Sequence, residues 1–177
     1  MRIYFLIFAL MVSAATAAFG LERKTLYVQN ATTVPSQNVA IGLADQVLGG
    51  MVVEVEGGDV SVEAMNFDIV IGVAPPVSSE DKFPDTDDIT NIVMVDEKGI
   101  IVAGPIEGAA GAKNAIRFVE TIIFKPGKMV YTLRGRLNDN FSAYDIVTVT
   151  TNPSSDWVTN GNVSAGDVVL NIMTVKE

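Results

Sequence analysis

Beyond about residue 24, apolar and polar side chains alternate with a period of two, and this alternation constrains the fold more than any other feature. Val53 and Val55, for example, alternate with Glu54 and Glu56. A period of two is the repeat of a β-strand, because successive side chains point to opposite faces of a sheet. The chain is therefore predicted to be all-β.

The predicted strands are short, evenly spaced and not separated by amphipathic helices. About nine of them lie at residues 25–29, 51–56, 60–71, 92–95, 100–103, 116–124, 129–133, 144–150 and 168–175. This spacing is typical of an antiparallel β-sandwich, here occupying residues 25–177. The alternation changes phase by one residue near Ala64, which predicts a β-bulge there.

The N-terminal segment is apolar and has two interpretations. Residues 1–17 combine one arginine, an apolar run and a small-residue end, the pattern of a secretory signal peptide. This predicts an exported protein, extracellular or at the cell surface. Residues 1–24 could instead form a retained apolar helix, since the uncharged run 3–21 has small residues that favour close packing against other helices. In that case Tyr4, Phe5 and Phe8 would serve assembly; otherwise they supply only the bulk hydrophobicity of the signal.

Composition excludes several classes of function. The 177 residues include neither cysteine nor histidine, which removes Ser-His-Asp and Cys-His catalysis and the usual zinc sites. A formal net charge of −9 disfavours binding to nucleic acid. Glu54, Glu56 and Glu63 could supply a pair of catalytic carboxylates, but acids on the polar faces of strands usually just face solvent. We therefore expect no enzymatic activity.

An acidic loop is the candidate metal site. Asp81, Asp85, Asp87 and Asp88 are crowded into one polar segment. Calcium takes six to eight oxygen ligands, and such a run can supply several of them. The alternative is an acidic loop that is polar because it is exposed, and the spacing lacks the ordered ligand series of an EF-hand. No other cofactor is expected.

Two further kinds of surface site are indicated. Asn30, Asn140 and Asn162 each begin an N-x-Ser/Thr sequon, which becomes a glycosylation site only in a host that uses it. Trp157 is the only tryptophan; it could stack on a sugar, but the favoured interpretation is a core residue.

Four segments together resemble a known structural module. They are residues 47–62 (VLGGMVVEVEGGDVSV), 89–96 (ITNIVMVD), 118–120 (FVE) and 122–128 (IIFKPGK). Their strands and turns resemble an immunoglobulin-like sandwich module of exported microbial surface proteins, including surface-layer and filament-forming chains, over roughly residues 38–175. The resemblance implies a structural or adhesive role and no active-site residues. The N-terminus is similar in architecture to type IV pilins and archaeal flagellins, although its apolar run is short and lacks an early glutamate.

Together these observations predict a structural subunit of an extracellular filament or surface layer, whose partners are copies of itself. Assembly would use the N-terminal apolar segment, or the strand around Leu26 and Val28 would add to the open sheet edge of a neighbour. The alternative is a secreted or membrane-anchored sandwich module for adhesion or carbohydrate binding, with other surface proteins or glycans as partners.

Overall fold

The computed structural model of the protein describes residues 23–73, 83–111, 113 and 115–177. Tyr4, Phe5, Phe8, Asp81 and the predicted N-terminal helix lie outside the described residues. No helix within those ranges has the length and apolar character needed to cross a membrane.

The described residues form an all-β structure. The strands, numbered in chain order, are β1 (Thr25–Asn30), β2 (Val39–Ala40), β3 (Gln46–Glu56), β4 (Val60–Gly72), β5 (Ile89–Asp96), β6 (Ile101–Ile106), β7 (Ile116–Phe118), β8 (Ile122–Phe124), β9 (Gly127–Leu137), β10 (Ile146–Thr151), β11 (Trp157–Thr159), β12 (Asn162–Ser164) and β13 (Val168–Lys176). One short helix, α1 (Pro153–Asp156), interrupts the course from β10 to β11, and a 3-10 turn at Thr86–Asp88 precedes β5.

The strands are arranged in two sheets. The six-stranded sheet has the order β12-β1-β3-β9-β5-β6. The seven-stranded sheet has the order β11-β4-β10-β13-β2, with β7 and β8 also paired to β4. The chain passes repeatedly from one sheet to the other, for example at the turn between β3 and β4 and between β8 and β9.

Two details of the predicted fold are wrong. The described residues contain thirteen strands rather than about nine, because β2, β7, β8, β11 and β12 have only two or three residues each. The sheets are also mixed rather than antiparallel, since β1 pairs in parallel with β12 and β13 in parallel with β2. Segments as short as β2 and β12 are too brief to show a period-two pattern in the sequence.

One core lies between the sheets. The side chains that the alternation places inward, such as Val53 and Met94 in one sheet and Phe67 and Val149 in the other, belong to a single buried apolar cluster. The two sheets come close at Gly49, where an added Cβ would lie 2.7 Å from Cβ of Leu170. A side chain at position 49 would therefore push the sheets apart.

The predicted bulge in β4 is confirmed. Ala64 and Met65 are consecutive buried residues, which breaks the alternation. On the partner strand β11, Val158 pairs with Ala64 and Thr159 with Val62, so Glu63 is skipped. The extra residue explains the change of phase in the sequence.

Candidate functional site

The acidic segment before β5 forms an ordered corner. Asp85 caps the 3-10 turn: its Oδ1 accepts a hydrogen bond from the amide of Thr86 at 2.7 Å. Asp88 completes the capping box, because its Oδ2 accepts from the amide of Asp85 at 2.9 Å. Hydrogen bonds from the amides of Thr86 and Gly111 lower the pKa of the Asp85 carboxyl below its usual value.

Asp88 also joins this corner to a distant segment. Its Oδ1 accepts hydrogen bonds from the side-chain amides of Asn138 at 2.6 Å and Asn140 at 2.7 Å. The amide of Asn138 donates to the carbonyl of Asp88 at 2.9 Å. Asp88 is buried, so its carboxylate depends on these donors in place of water. The corner thus ties the start of β5 to the loop that follows β9.

Of the four predicted calcium ligands, Asp85, Asp87 and Asp88 lie within the described residues, and Asp85 and Asp88 belong to the same capping box. Asp85 and Asp88 direct carboxylate oxygens to backbone and amide donors, whereas Asp87 is exposed. Within the described ranges, no three acidic side chains are grouped so that they could hold a metal ion. Asp81 lies outside those ranges, and calcium binding stays a prediction.

The three sequon asparagines lie in different environments. Nδ2 of Asn140, the atom that would carry a glycan, donates to Asp88. Nδ2 of Asn30 donates to the carbonyls of Val169 at 2.5 Å and Leu170 at 3.0 Å. Asn162 is exposed on the edge strand β12. Asn30 is exposed as well, whereas Asn140 is half-buried. Glycosylation stays a prediction.

Trp157 is a core residue, as the favoured interpretation predicted. It is 6% exposed, its ring contacts Phe67 and Phe124, and its Nε1 donates to Oγ1 of Thr151 at 3.0 Å. The alternative of an exposed platform for a sugar is wrong, because the side chain is buried in the core.

Leu26 and Val28 belong to the core of their own domain. Both side chains are buried, and β1 is paired on both sides, with β3 and with β12. Addition of β1 to a neighbouring copy would require the strand to leave this sheet. The structure therefore gives no exposed assembly surface at these two residues.

The entry into β1 is the most distinctive local arrangement, and we call it the N-terminal clamp. It consists of Gly57, Gly161 and Asn162, which surround the backbone of Arg23 and Lys24. The amide of Asn162 donates to the carbonyl of Lys24 at 2.9 Å. An added Cβ would lie 2.6 Å from the carbonyl oxygen of Arg23 at position 57 and 3.4 Å from that of Lys24 at position 161.

The clamp needs glycine at position 57 for two reasons. Gly57 has a φ of +87°, a conformation that side chains disfavour, and the backbone of Arg23 passes directly over it. Beyond the clamp, Thr25 pairs with Glu56 on one side and with Asn162 on the other. The chain is thus held from both sides as soon as it enters the domain.

Acidic side chains lie on the outer face of the sheet beside β1. Oη of Tyr27 donates to Oε2 of Glu56 at 3.3 Å, and the charge of Glu56 raises the pKa of the Tyr27 hydroxyl. Glu54 lies opposite Tyr27 in the register, whereas Glu63 belongs to β4 in the other sheet. The three glutamates of the sequence-based hypothesis therefore do not form one site.

A depression of about 250 Å³ opens at the same end of the sandwich as the clamp. Val53, Val55, Phe124, Met129 and Tyr131 contribute to its lining. Burial raises the pKa of the Tyr131 hydroxyl, and the nearby Asp96 and Glu97 add to the effect. Lys125 and Lys128 also line the depression, so its lining combines apolar side chains with two lysines and one hydroxyl.

Comparison of the sequence with models of known protein families and with curated proteins finds no match.

Proposed function

We propose that this protein is an exported structural subunit of an extracellular filament or surface layer, in which the sandwich is carried by the N-terminal apolar segment. The immunoglobulin-like character of the sandwich and the helical state of that segment are part of the same proposal. Copies of the chain are its main partners.

The observation that carries the proposal is the N-terminal clamp together with the pairing of β1 on both sides, with β12 and with β3. Any pull on the apolar segment reaches the domain at Arg23 and continues along β1. Six residue pairs join β1 to β3, and their hydrogen bonds run perpendicular to the strands. A pull directed along β1 therefore loads the whole ladder at once, in shear, which suits a domain that is tethered at its N-terminus.

The edges of the two sheets favour assembly through the apolar segment over assembly by strand addition. Pro105 lies in the edge strand β6 and lacks an amide proton, and residues 119–121 interrupt the edge formed by β7 and β8. Along β13, the side chains of Asn30 and Ser36 donate to the carbonyls of Val169, Leu170 and Ile172. These edges offer little unpaired backbone to an incoming strand.

The mass of the assembled protein tests which segment is used. Assembly through the apolar segment predicts that material purified from the cell surface retains most of residues 1–22, as intact-mass measurement and N-terminal sequencing would show. Assembled material that begins uniformly at Ala18 would contradict this route, because the apolar run would then have been removed before assembly.

The second candidate is an exported or anchored module for adhesion or carbohydrate binding. The depression at the clamp end favours it, since it is a concave surface whose lining combines apolar side chains with Lys125, Lys128 and Tyr131. This alternative predicts a monomer, so the state of association of the purified chain distinguishes the two candidates.

A further inference from the structure

We infer that the depression at the clamp end is the docking site for residues 18–22 of the same chain, with the side chain of Phe19 as the anchor. These residues lie outside the described part of the chain and immediately precede Arg23. The inference goes beyond the proposed function and does not depend on it, because residues 18–22 remain in the chain even if a signal peptide is cleaved after Ala17.

The depression and the point where the chain enters the sandwich lie at the same end of β3. Val55, which lines the depression, pairs with Leu26 of β1 on one side and with Gly127 of β9 on the other. Since neighbouring strands are about 4.8 Å apart, β1 and β9 are separated by roughly 10 Å. The backbone of Arg23 passes over Gly57, just beyond the end of β3.

The length of chain before the clamp is sufficient to reach across β3. An extended chain spans at most about 3.5 Å per residue, so Phe19, four residues before Arg23, reaches up to roughly 14 Å from it. Leu21, two residues before Arg23, reaches only about 7 Å. Phe19 is therefore the nearest large apolar side chain before the clamp whose reach covers the whole depression.

The depression suits an aromatic side chain in size and in lining. Its volume is about 250 Å³, and a cavity of roughly 150 Å³ lined by apolar side chains already holds benzene. Phe124 and Tyr131 both line the depression and contact each other edge to face, with ring centroids 5.2 Å apart. The ring of Phe19 extends this aromatic cluster and removes apolar surface from water.

The charges around the depression match the residue that follows the anchor. Lys125 and Lys128 line the depression, and Glu22 is the first acidic residue of the chain. Lys125 already pairs with Asp59, so Lys128 is the expected partner of Glu22. Exposed ion pairs add little to stability, so Phe19 supplies most of the contact and Glu22 helps to direct the chain.

Docking of Phe19 gives the apolar segment a fixed direction relative to the sandwich. The clamp holds the chain at Arg23 and the depression holds it four residues earlier, so the entry point is fixed at two places. Copies joined through their apolar segments would then carry their sandwiches in the same orientation, as a regular filament or layer requires. An occupied depression would also be closed to the ligand of the second candidate function.

Trp157 is a built-in reporter for this contact. It is the only tryptophan of the chain, and its ring stacks on that of Phe124 with centroids 6.4 Å apart. Because the chain contains no cysteine, a nitroxide label, which quenches fluorescence at short range, can be attached to Ala18→Cys. Ala9→Cys is the matched control, since it carries the same label in the same segment but farther from the clamp.

In the full chain, kept in a non-ionic detergent, a label at position 18 should quench Trp157 fluorescence more strongly than a label at position 9. Position 18 is near the sandwich in any case, so the deciding variant is Phe19→Ala in the A18C chain. F19A should remove most of the quenching, whereas Phe5→Ala, the control substitution, should leave it unchanged. An excess of unlabelled chain should not reduce the quenching, because anchor and depression belong to one molecule.

Equal quenching from positions 18 and 9 would overturn the inference, as would quenching that F19A leaves unchanged. Quenching that disappears on dilution with unlabelled chain would also overturn it, because the occupant would then be the segment of a second copy. Filaments without the quenching would refute the docking alone, whereas quenching without filaments or sheets would refute the proposed function alone.

Discussion

At the scale of single residues, Asp88 is the side chain whose contribution to the stability of the fold is clearest. Its two carboxylate oxygens accept hydrogen bonds from the amide of Asp85 and from the side chains of Asn138 and Asn140. The pattern Asp85-x-x-Asp88 could have suggested a capping box from the sequence. The amide partners could not have been predicted, because they lie in a loop about fifty residues further along the chain.

We expect Asp88→Ala to lower the free energy of unfolding by about 2–4 kcal/mol, because it leaves several partly buried donors without an acceptor. Asp87→Ala is the matched control; its side chain is exposed, and we expect a change within about 0.5 kcal/mol. Urea unfolding measures both. Equal losses, together with a melting temperature that falls on adding a chelator, would instead support the calcium hypothesis.

At the scale of strands and turns, the N-terminal clamp requires glycine at position 57. Gly57 and Gly99 both have a positive φ, +87° and +79°. Only at Gly57 would a Cβ meet backbone, since nothing lies within 4 Å of the corresponding position at Gly99. Alanine substitutions at the two glycines therefore separate the free-energy cost of the left-handed conformation from the cost of opening the clamp.

Gly99→Ala should lower the free energy of unfolding by about 1 kcal/mol, the cost of the left-handed conformation. Gly57→Ala should cost at least about 1–2 kcal/mol more, because the backbone of Arg23 must move away. It should also speed trypsin cleavage after Arg23 and Lys24 relative to G99A. Equal stability and equal cleavage in the two variants would show that the clamp does not hold the chain.

The long strands were predictable, whereas the short ones were not. Period-two alternation located β4, β9 and β13, in which burial largely alternates along the strand, but only the second half of β3, because residues 48–53 are all buried. β2 and β12 have two and three residues and pair in parallel with strands far away in the sequence. Their formation depends on tertiary contacts, which a local sequence pattern does not reveal.

The N-terminal clamp could not have been predicted from the sequence either. Gly57 lies between two predicted strands, at residues 51–56 and 60–71, but its contact with Arg23 follows from the pairing of β1 with β3. Gly161 and Asn162 approach the same backbone only because β12 pairs with β1. The exported character and the role of the apolar segment remain sequence-based predictions.

At the scale of the whole molecule, two features combine. A single core between the two sheets makes the domain one body, and the clamp fixes where the chain enters it. Under the proposed function, the net charge of −9 should keep free copies apart until the apolar segments assemble. The central claim is that the apolar segment brings the copies together.

Negative-stain electron microscopy of the purified full-length chain, beside a chain lacking residues 1–22, tests this claim most directly. Buried Trp157 provides the folding control, because its fluorescence should be the same in both chains. We predict filaments or sheets from the full-length chain and dispersed single particles from the shortened one. Filaments or sheets from the shortened chain, or dispersed particles from both, would contradict the account.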